Sequence, residues 1–164
     1  MKLNLITDRT PHDVERWKIL KAKGWVAMTD AERQEWMGET TPTPSASKGM
    51  YTHKDLNRVE NAVNELMGLL REYGYLCCEL QVKTDWSYDD DFWSDDAKRY
   101  LSNIKTLRDC IRVKDDTPIA PNITDKFTYE TANNIEKILA DISDLLDSIP
   151  QSWSYAGEIV TGEV

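Results

Sequence analysis

The chain is poor in the residues that catalysis and metal binding draw on. It has two histidines, His12 and His53, no CxxC pair, and no second histidine or cysteine at helical spacing from either, so metal ligands do not cluster. The three cysteines are Cys77, Cys78 and Cys110. Bridging neighbours is strained and an odd number leaves one thiol over, so no disulfide framework is expected and reduced thiols of a cytosolic product are the natural reading. No GxSxG, P-loop, GxGxxG or HExxH occurs, and Cys77-Cys78 has no histidine at hand to activate a thiolate. No apolar run approaches the length of a membrane span, and Met1-Lys2-Leu3-Asn4 lacks the apolar stretch of a signal peptide, so an unprocessed soluble chain is expected. A basic excess is missing too. Lys and Arg number 20 against 29 Asp and Glu, a net charge of −9, and the imbalance is local: residues 1–84 balance 12 against 12, and residues 85–164 carry 17 acidic and 8 basic groups. Such a surface repels phosphate backbones and anionic headgroups, which excludes nucleic acid and membrane as main partners.

What the chain does have is helical period. Residues 11–23 place Val14, Trp17, Ile19 and Leu20 behind Thr10-Pro11, with Gly24 as the stop. Thr29-Asp30-Ala31-Glu32 is a capping box opening a second short helix that ends near Gly38. Residues 38–49 carry no apolar period and two prolines, which reads as a linker. Three long patterns follow. Thr52 and Asp55 open one that runs Leu56, Val59, Val63, Leu66, Leu70 and closes at Tyr73-Gly74. Ser94 opens the next, with Tyr100, Leu101, Ile104, Leu107 and Ile111. Thr128 opens the third, with Ala132, Ile135, Leu139, Ile142, Leu145 and Leu146, and Pro150 is read as its stop. Between the first two, Cys78 to Lys83 alternates apolar and polar like a short half-buried strand. Leu3-Asn4-Leu5 and the tail from Tyr155 to Val160 are candidate strand partners.

The long helices repeat. At an offset of 76, Tyr51-Thr52 matches Phe127-Thr128, Asn57 matches Asn133, Val59-Glu60 matches Ile135-Glu136, and Leu69-Leu70 matches Leu145-Leu146. At an offset of 41, Asp55 to Val59 overlies Asp96 to Tyr100 more weakly. Any two amphipathic helices share an apolar stripe, but that does not explain the recurrence of Asn57 and Glu60 as Asn133 and Glu136. Asparagine favours bonds to nearby backbone over a helix interior, so each is expected to hold a neighbouring loop, with ligand binding by the same pair as the sharper alternative.

The acidic run Asp89-Asp90-Asp91 with Asp95-Asp96 fails as a calcium loop, because Trp93 occupies a ligand slot and no glycine follows. It fails equally as a glycosidase pair, since crowded loop aspartates stay hydrated. Solvated acid before a helix start is the expectation. Of six tryptophans, Trp17 alone falls squarely on a helical stripe. Trp86, Trp93 and the tail residues Trp153, Tyr155, Ile159 and Val160 are the candidate interface anchors.

The sequence resembles a group of structural proteins encoded in the tail modules of tailed phages and prophages of Gram-positive bacteria. The resemblance is carried by Asp8-Arg9-Thr10 with Asp13-Val14, by Lys23-Gly24-Trp25 and Met28-Thr29 with Glu32, and by Lys48-Gly49-Met50-Tyr51. It continues through Asp55 to Glu60, Lys83 to Trp86, Arg99-Tyr100-Leu101 with Asn103-Ile104, Phe127 to Glu130 with Ala132-Asn133 and Ile135-Glu136, and Trp153 with Tyr155 and Gly157-Glu158. It implies a virion tail or baseplate component, made in the bacterial host cytoplasm and without catalytic activity.

The expected fold is all-α: a three-helix core over 50–150, an N-terminal helical arm over 1–37 joined by the 38–49 linker, a minor short β element, and a C-terminal interaction tail over 151–164. The expected partners are other virion tail proteins and further copies of the chain, with no cofactor. The rival readings are a carbohydrate-contacting host-recognition module and an acidic helical regulator that sequesters a basic partner.

Overall fold

Threonine hydroxyls set the starts of four helices. Thr10 accepts from the Asp13 amide while Asp13 accepts from the Thr10 amide, and Thr29 with Glu32 repeats this reciprocal cap. Thr52 pairs with Asp55 and accepts from the Lys54 amide, and Thr128 accepts from the Thr131 amide. The computed structural model describes residues 3–75 and 80–160, the stretch 150–160 as backbone only. Its helices are α1 (Pro11–Lys23), α2 (Asp30–Met37), α3 (Ala46–Gly49), α4 (His53–Glu72), α5 (Ser94–Cys110) and α6 (Tyr129–Val160). Among the described residues there is no strand, so the fold is all-α.

The stripes of α4, α5 and α6 face one another. Val59, Val63, Leu66 and Leu70 meet Ile104 and Leu107, and both sets meet Ile135, Leu139, Ile142 and Leu146. A buried side chain of this kind contributes about 1.5–3 kcal/mol, so this cluster supplies most of the driving force. A second, small cluster of Leu20, Met28 and Ala46, flanked by Trp17 and Trp36, holds α1, α2 and α3 together.

Extended segments fill the grooves of the bundle. Residues 3–9 bond to α6 and, through Arg9, to α4. Residues 80–86 bond to α4 and α5. In the segment 111–120, Thr117 and Pro118 carbonyls accept from Arg108 of α5, and the Thr117 hydroxyl donates to the buried Asp141 of α6 at 2.8 Å. Each strap joins two helices, and together the three join every pair in the bundle.

Four expectations need correction. The alternation at 80–83 builds a strap rather than a strand, because side chains and not a neighbouring strand take up its backbone groups: Gln81 O accepts from Asn103 and Arg99, and Lys83 N donates to Glu60. The positions before it, 76–79, lie outside the described residues. Pro150 does not stop α6, which continues to Val160. A proline removes one amide, and the apolar period carries through it from Leu145 and Ile149 to Trp153. Cys110 is disulfide-bonded, not reduced, and Cys77 and Cys78 lie outside the described residues. The end of the 38–49 segment is not a free linker: Ser45 and Ala46 are fully buried.

That burial follows from two carboxylates. Asp13 accepts from the Ser45 amide at 2.6 Å, and Glu35 accepts from the Ala46 amide at 2.9 Å and from the Arg16 guanidinium. Burial pushes both acids up. The Ser45 amide, Thr10 and Lys48 outweigh it at Asp13, and Arg16 with the Ala46 amide outweighs it at Glu35, so both stay ionised below their ordinary range. The approach is so close that a Cβ on Gly49 would lie 2.0 Å from the Asp13 carbonyl oxygen. Only glycine fits there.

Gly49→Ala should therefore separate α3 from α1 and lower stability by about 2 kcal/mol or more. Gly68→Ala, on the exposed side of α4 with nothing within 4 Å of the new methyl, should raise it by about 0.5–1 kcal/mol. Denaturant midpoints of the two variants should move in opposite directions.

Candidate functional site: two carboxylate clasps and the groove between them

Glu60 stands inside the bundle at 1% exposure. Its Oε2 accepts from the Lys83 amide at 2.9 Å, and both oxygens accept from Arg99 of α5, at 2.8 and 2.7 Å. One turn earlier on the same face, Asn57 bonds Trp86 twice. The Trp86 amide donates to Oδ1 and Nδ2 donates to the Trp86 carbonyl, each at 2.8 Å. Asparagine thus takes both backbone groups of one residue, as a neighbouring strand would.

Glu136, fully buried on α6, does the same for residues 6–9. Its Oε2 accepts from the Ile6 amide at 2.6 Å, and Arg58 of α4 donates to both oxygens, at 3.0 and 2.7 Å. Asn133 accepts from the Arg9 amide at 3.0 Å and donates to the Arg9 carbonyl at 2.9 Å. The last strap residue completes each clasp from the same direction. The Trp86 indole points its N–H at Glu60 Oε1 at 3.4 Å, and the Arg9 guanidinium reaches Glu136 Oε1 at 2.7 Å and Asp55 at 3.0 Å. Charge balances in both: one arginine against Glu60, two against Glu136 and Asp55. Burial pulls the Arg58 pKa down, but Glu136 and Asp55 outweigh this and hold it above its ordinary value.

The helix halves of the clasps are the repeat at offset 76. The strap halves repeat at offset 77, where Leu3-Asn4-Leu5-Ile6-Thr7-Asp8-Arg9 overlies Leu80-Gln81-Val82-Lys83-Thr84-Asp85-Trp86. Sequence reasoning missed this second register, although the shared Thr-Asp step and the alternating apolar positions before it were the signal. It missed the arginines too. Arg58 and Arg99 coincide at the offset of 41, and each is the arginine that the next clasp requires.

Between the clasps runs a row of aromatic rings. Phe127 meets Tyr51 edge-on at 4.9 Å, the Tyr51 and Tyr100 hydroxyls are hydrogen-bonded, and Phe92 meets Tyr100 at 6.1 Å and Trp86 at 5.5 Å. The row begins against Arg9, whose guanidinium lies 5.5 Å from the Tyr51 ring centre, and ends at Trp86 against Glu60. Burial raises both phenols well above the ordinary tyrosine range, so they remain protonated donors. Above the row opens a groove of about 1060 Å³, walled by Trp25, Trp36 and Met37 from the N-terminal hairpin and by Tyr88 and Ile123 from the loops.

Of the interface candidates, Trp86 is held in its clasp at 4% exposure, at the end of the ring row that lines the groove. Trp93 stands 67% exposed at the start of α5, where its amide donates to Asp96. The side chains of Trp153, Tyr155, Ile159 and Val160 lie outside the described residues. Among the described residues no group of three or more His, Cys, Asp and Glu side chains is placed to hold a metal ion, and no helix is long and apolar enough to cross a membrane.

Removing the side-chain amide from Asn57 or Asn133 frees one strap and leaves its backbone groups unpaired. Asn57→Ala and Asn133→Ala should each lower stability by about 1–2 kcal/mol. Glu136→Ala, which strands Arg9 and Arg58, should cost about 3–5 kcal/mol. Urea melts monitored by circular dichroism test the order, and Trp86 emission should shift red for Asn57→Ala alone. No family model, no curated protein and no solved structure matches the chain.

Proposed function

We propose that the chain is a non-catalytic structural part of a phage tail or baseplate that acts by protein–protein contact. The observation that carries this reading is how the buried ionisable groups are used. Asp13, Glu35, Asp55, Glu60, Glu136 and Asp141 are each bonded to backbone amides, arginines, a lysine or a threonine hydroxyl of the same chain. Groups spent on holding straps and caps are not poised for proton transfer or nucleophilic attack. Six of the ten large exposed apolar side chains among the described residues gather instead around one groove, which is what a contact surface requires. The resemblance to tail-module structural proteins points the same way.

A second reading, a glycan-contacting module, is favoured by the aromatic lining of the groove, since sugars stack on Trp and Tyr faces. It requires saturable quenching of tryptophan emission by cell-wall glycans, which a purely structural part does not show. The structural reading is tested by mass spectrometry of particles purified from the bacterium or phage that encodes the chain. The protein should appear in fixed ratio to the other tail proteins. Its absence from intact particles would contradict the proposal.

A further inference from the structure

Ten large hydrophobic side chains are exposed among the described residues, and six of them line the groove above the aromatic row: Trp25, Met37, Tyr88, Phe92, Ile123 and Phe127. One side of it is the segment 87–93 between the strap and α5, of which Ser87, Tyr88, Asp90 and Phe92 line the groove, while Lys54 lines it too with its ammonium donated to the Met37 carbonyl. Residues 85–96 carry six aspartates and no lysine or arginine. Asp90, Asp95 and Asp96 are engaged by Lys83, Lys98 and the Trp93 amide. Asp85, Asp89 and Asp91 are exposed, and among the described residues no ion pair or hydrogen bond neutralises them. Among them stand Tyr88, 88% exposed, and Trp93. Asp89 and Asp91 alternate with the lining residues Tyr88, Asp90 and Phe92, so this side of the apolar groove has an uncompensated acidic edge and fits an occupant that is apolar at its centre and basic where it meets that edge.

The same chain carries such a surface elsewhere. On α1, Lys18, Ile19 and Ala22 share one outward face, Lys21 lies beside it over the Trp17 ring, and Val26 follows in the turn at 91% exposure. Among the described residues Lys18 is held only by a 3.6 Å exposed pair with Glu15, and Lys21 has no carboxylate partner. The charge asymmetry of the chain, balanced over 1–84 and −9 over 85–164, separates the two surfaces by sign.

We propose that the groove and its aspartate rim dock a second copy of this chain through the basic, apolar-studded face of α1. Donor and acceptor surfaces differ, so the contact is head-to-tail. Repeated, it builds a ring or a filament rather than a closed two-fold dimer. The inference rests on the reading as a structural part and names one of its partners.

Sedimentation velocity of the full chain over a concentration series tests it. The wild-type chain should self-associate, less so at high salt. Lys18→Glu/Lys21→Glu and Asp89→Lys/Asp91→Lys change only exposed side chains, and each pair should weaken association by about tenfold or more. Mixing the two variants, or combining all four changes in one chain, should restore it. A wild-type chain that stays monomeric, or charge-reversed variants that associate undiminished or fail to rescue one another, overturns the docking. A monomeric chain that is nevertheless present in purified particles overturns the docking alone, whereas self-association with absence from particles overturns the structural reading.

Discussion

A carboxylate buried away from water needs a donor for nearly every lone pair, and this structure is arranged around meeting that need at Glu60 and Glu136. Each takes one strap amide and a two-pronged arginine from the next helix. The geometry therefore fixes three things at once: the rotation of its own helix, the neighbouring helix that supplies the arginine, and the register of the strap. Apolar stripes alone would let helices slide or rotate at little cost, because one leucine packs about as well as another. Against a well-packed apolar alternative the ion pairs add little net stability. Their contribution is to make one arrangement far better satisfied than its neighbours.

The groove inherits this order. Its floor is a line of rings whose ends are tied to the clasps, through Arg9 against Tyr51 and through Trp86 against Glu60. Tyr51 and Phe127, equivalent in the repeat, lie against each other rather than in separate surroundings. A contact platform built from rings in fixed edge-on geometry loses little side-chain freedom on binding, which suits a part that has to seat repeatedly in one orientation. The hairpin of α1 and α2 contributes the opposite wall, so the buried anchoring of α3 by Asp13 and Glu35 also sets the width of the opening.

Four of the six helices were legible twice over, by a threonine cap and by an apolar period, α5 by its period alone, and the four-residue α3 by neither. Thr10, Thr29, Thr52 and Thr128 mark the same starts in sequence and structure. The recurrent Asn and Glu stood out because an amphipathic stripe does not demand them. What they grip was not legible, since a strap that pairs with side chains and a strand that pairs with a strand share one alternating pattern. Cys78 to Lys83 illustrates this, for nothing in that alternation says that Gln81 meets Asn103 and Arg99. Pro150 misled for a related reason: it removes one amide, whereas the apolar period runs on through it. Nor was it legible that the Trp86 indole N–H meets the buried Glu60 carboxylate, since a tryptophan at an element end looks the same in either setting.

Side chains, not strands, hold the straps as firmly as the helices hold themselves. Native-state hydrogen exchange of the Ile6, Arg9, Lys83 and Trp86 amides measures this directly, since all four lie outside regular secondary structure. They should exchange only through the opening that also exposes the amides of Val63 and Leu139 in the core. Exchange at the rate of the exposed loop around Asp89 would contradict it.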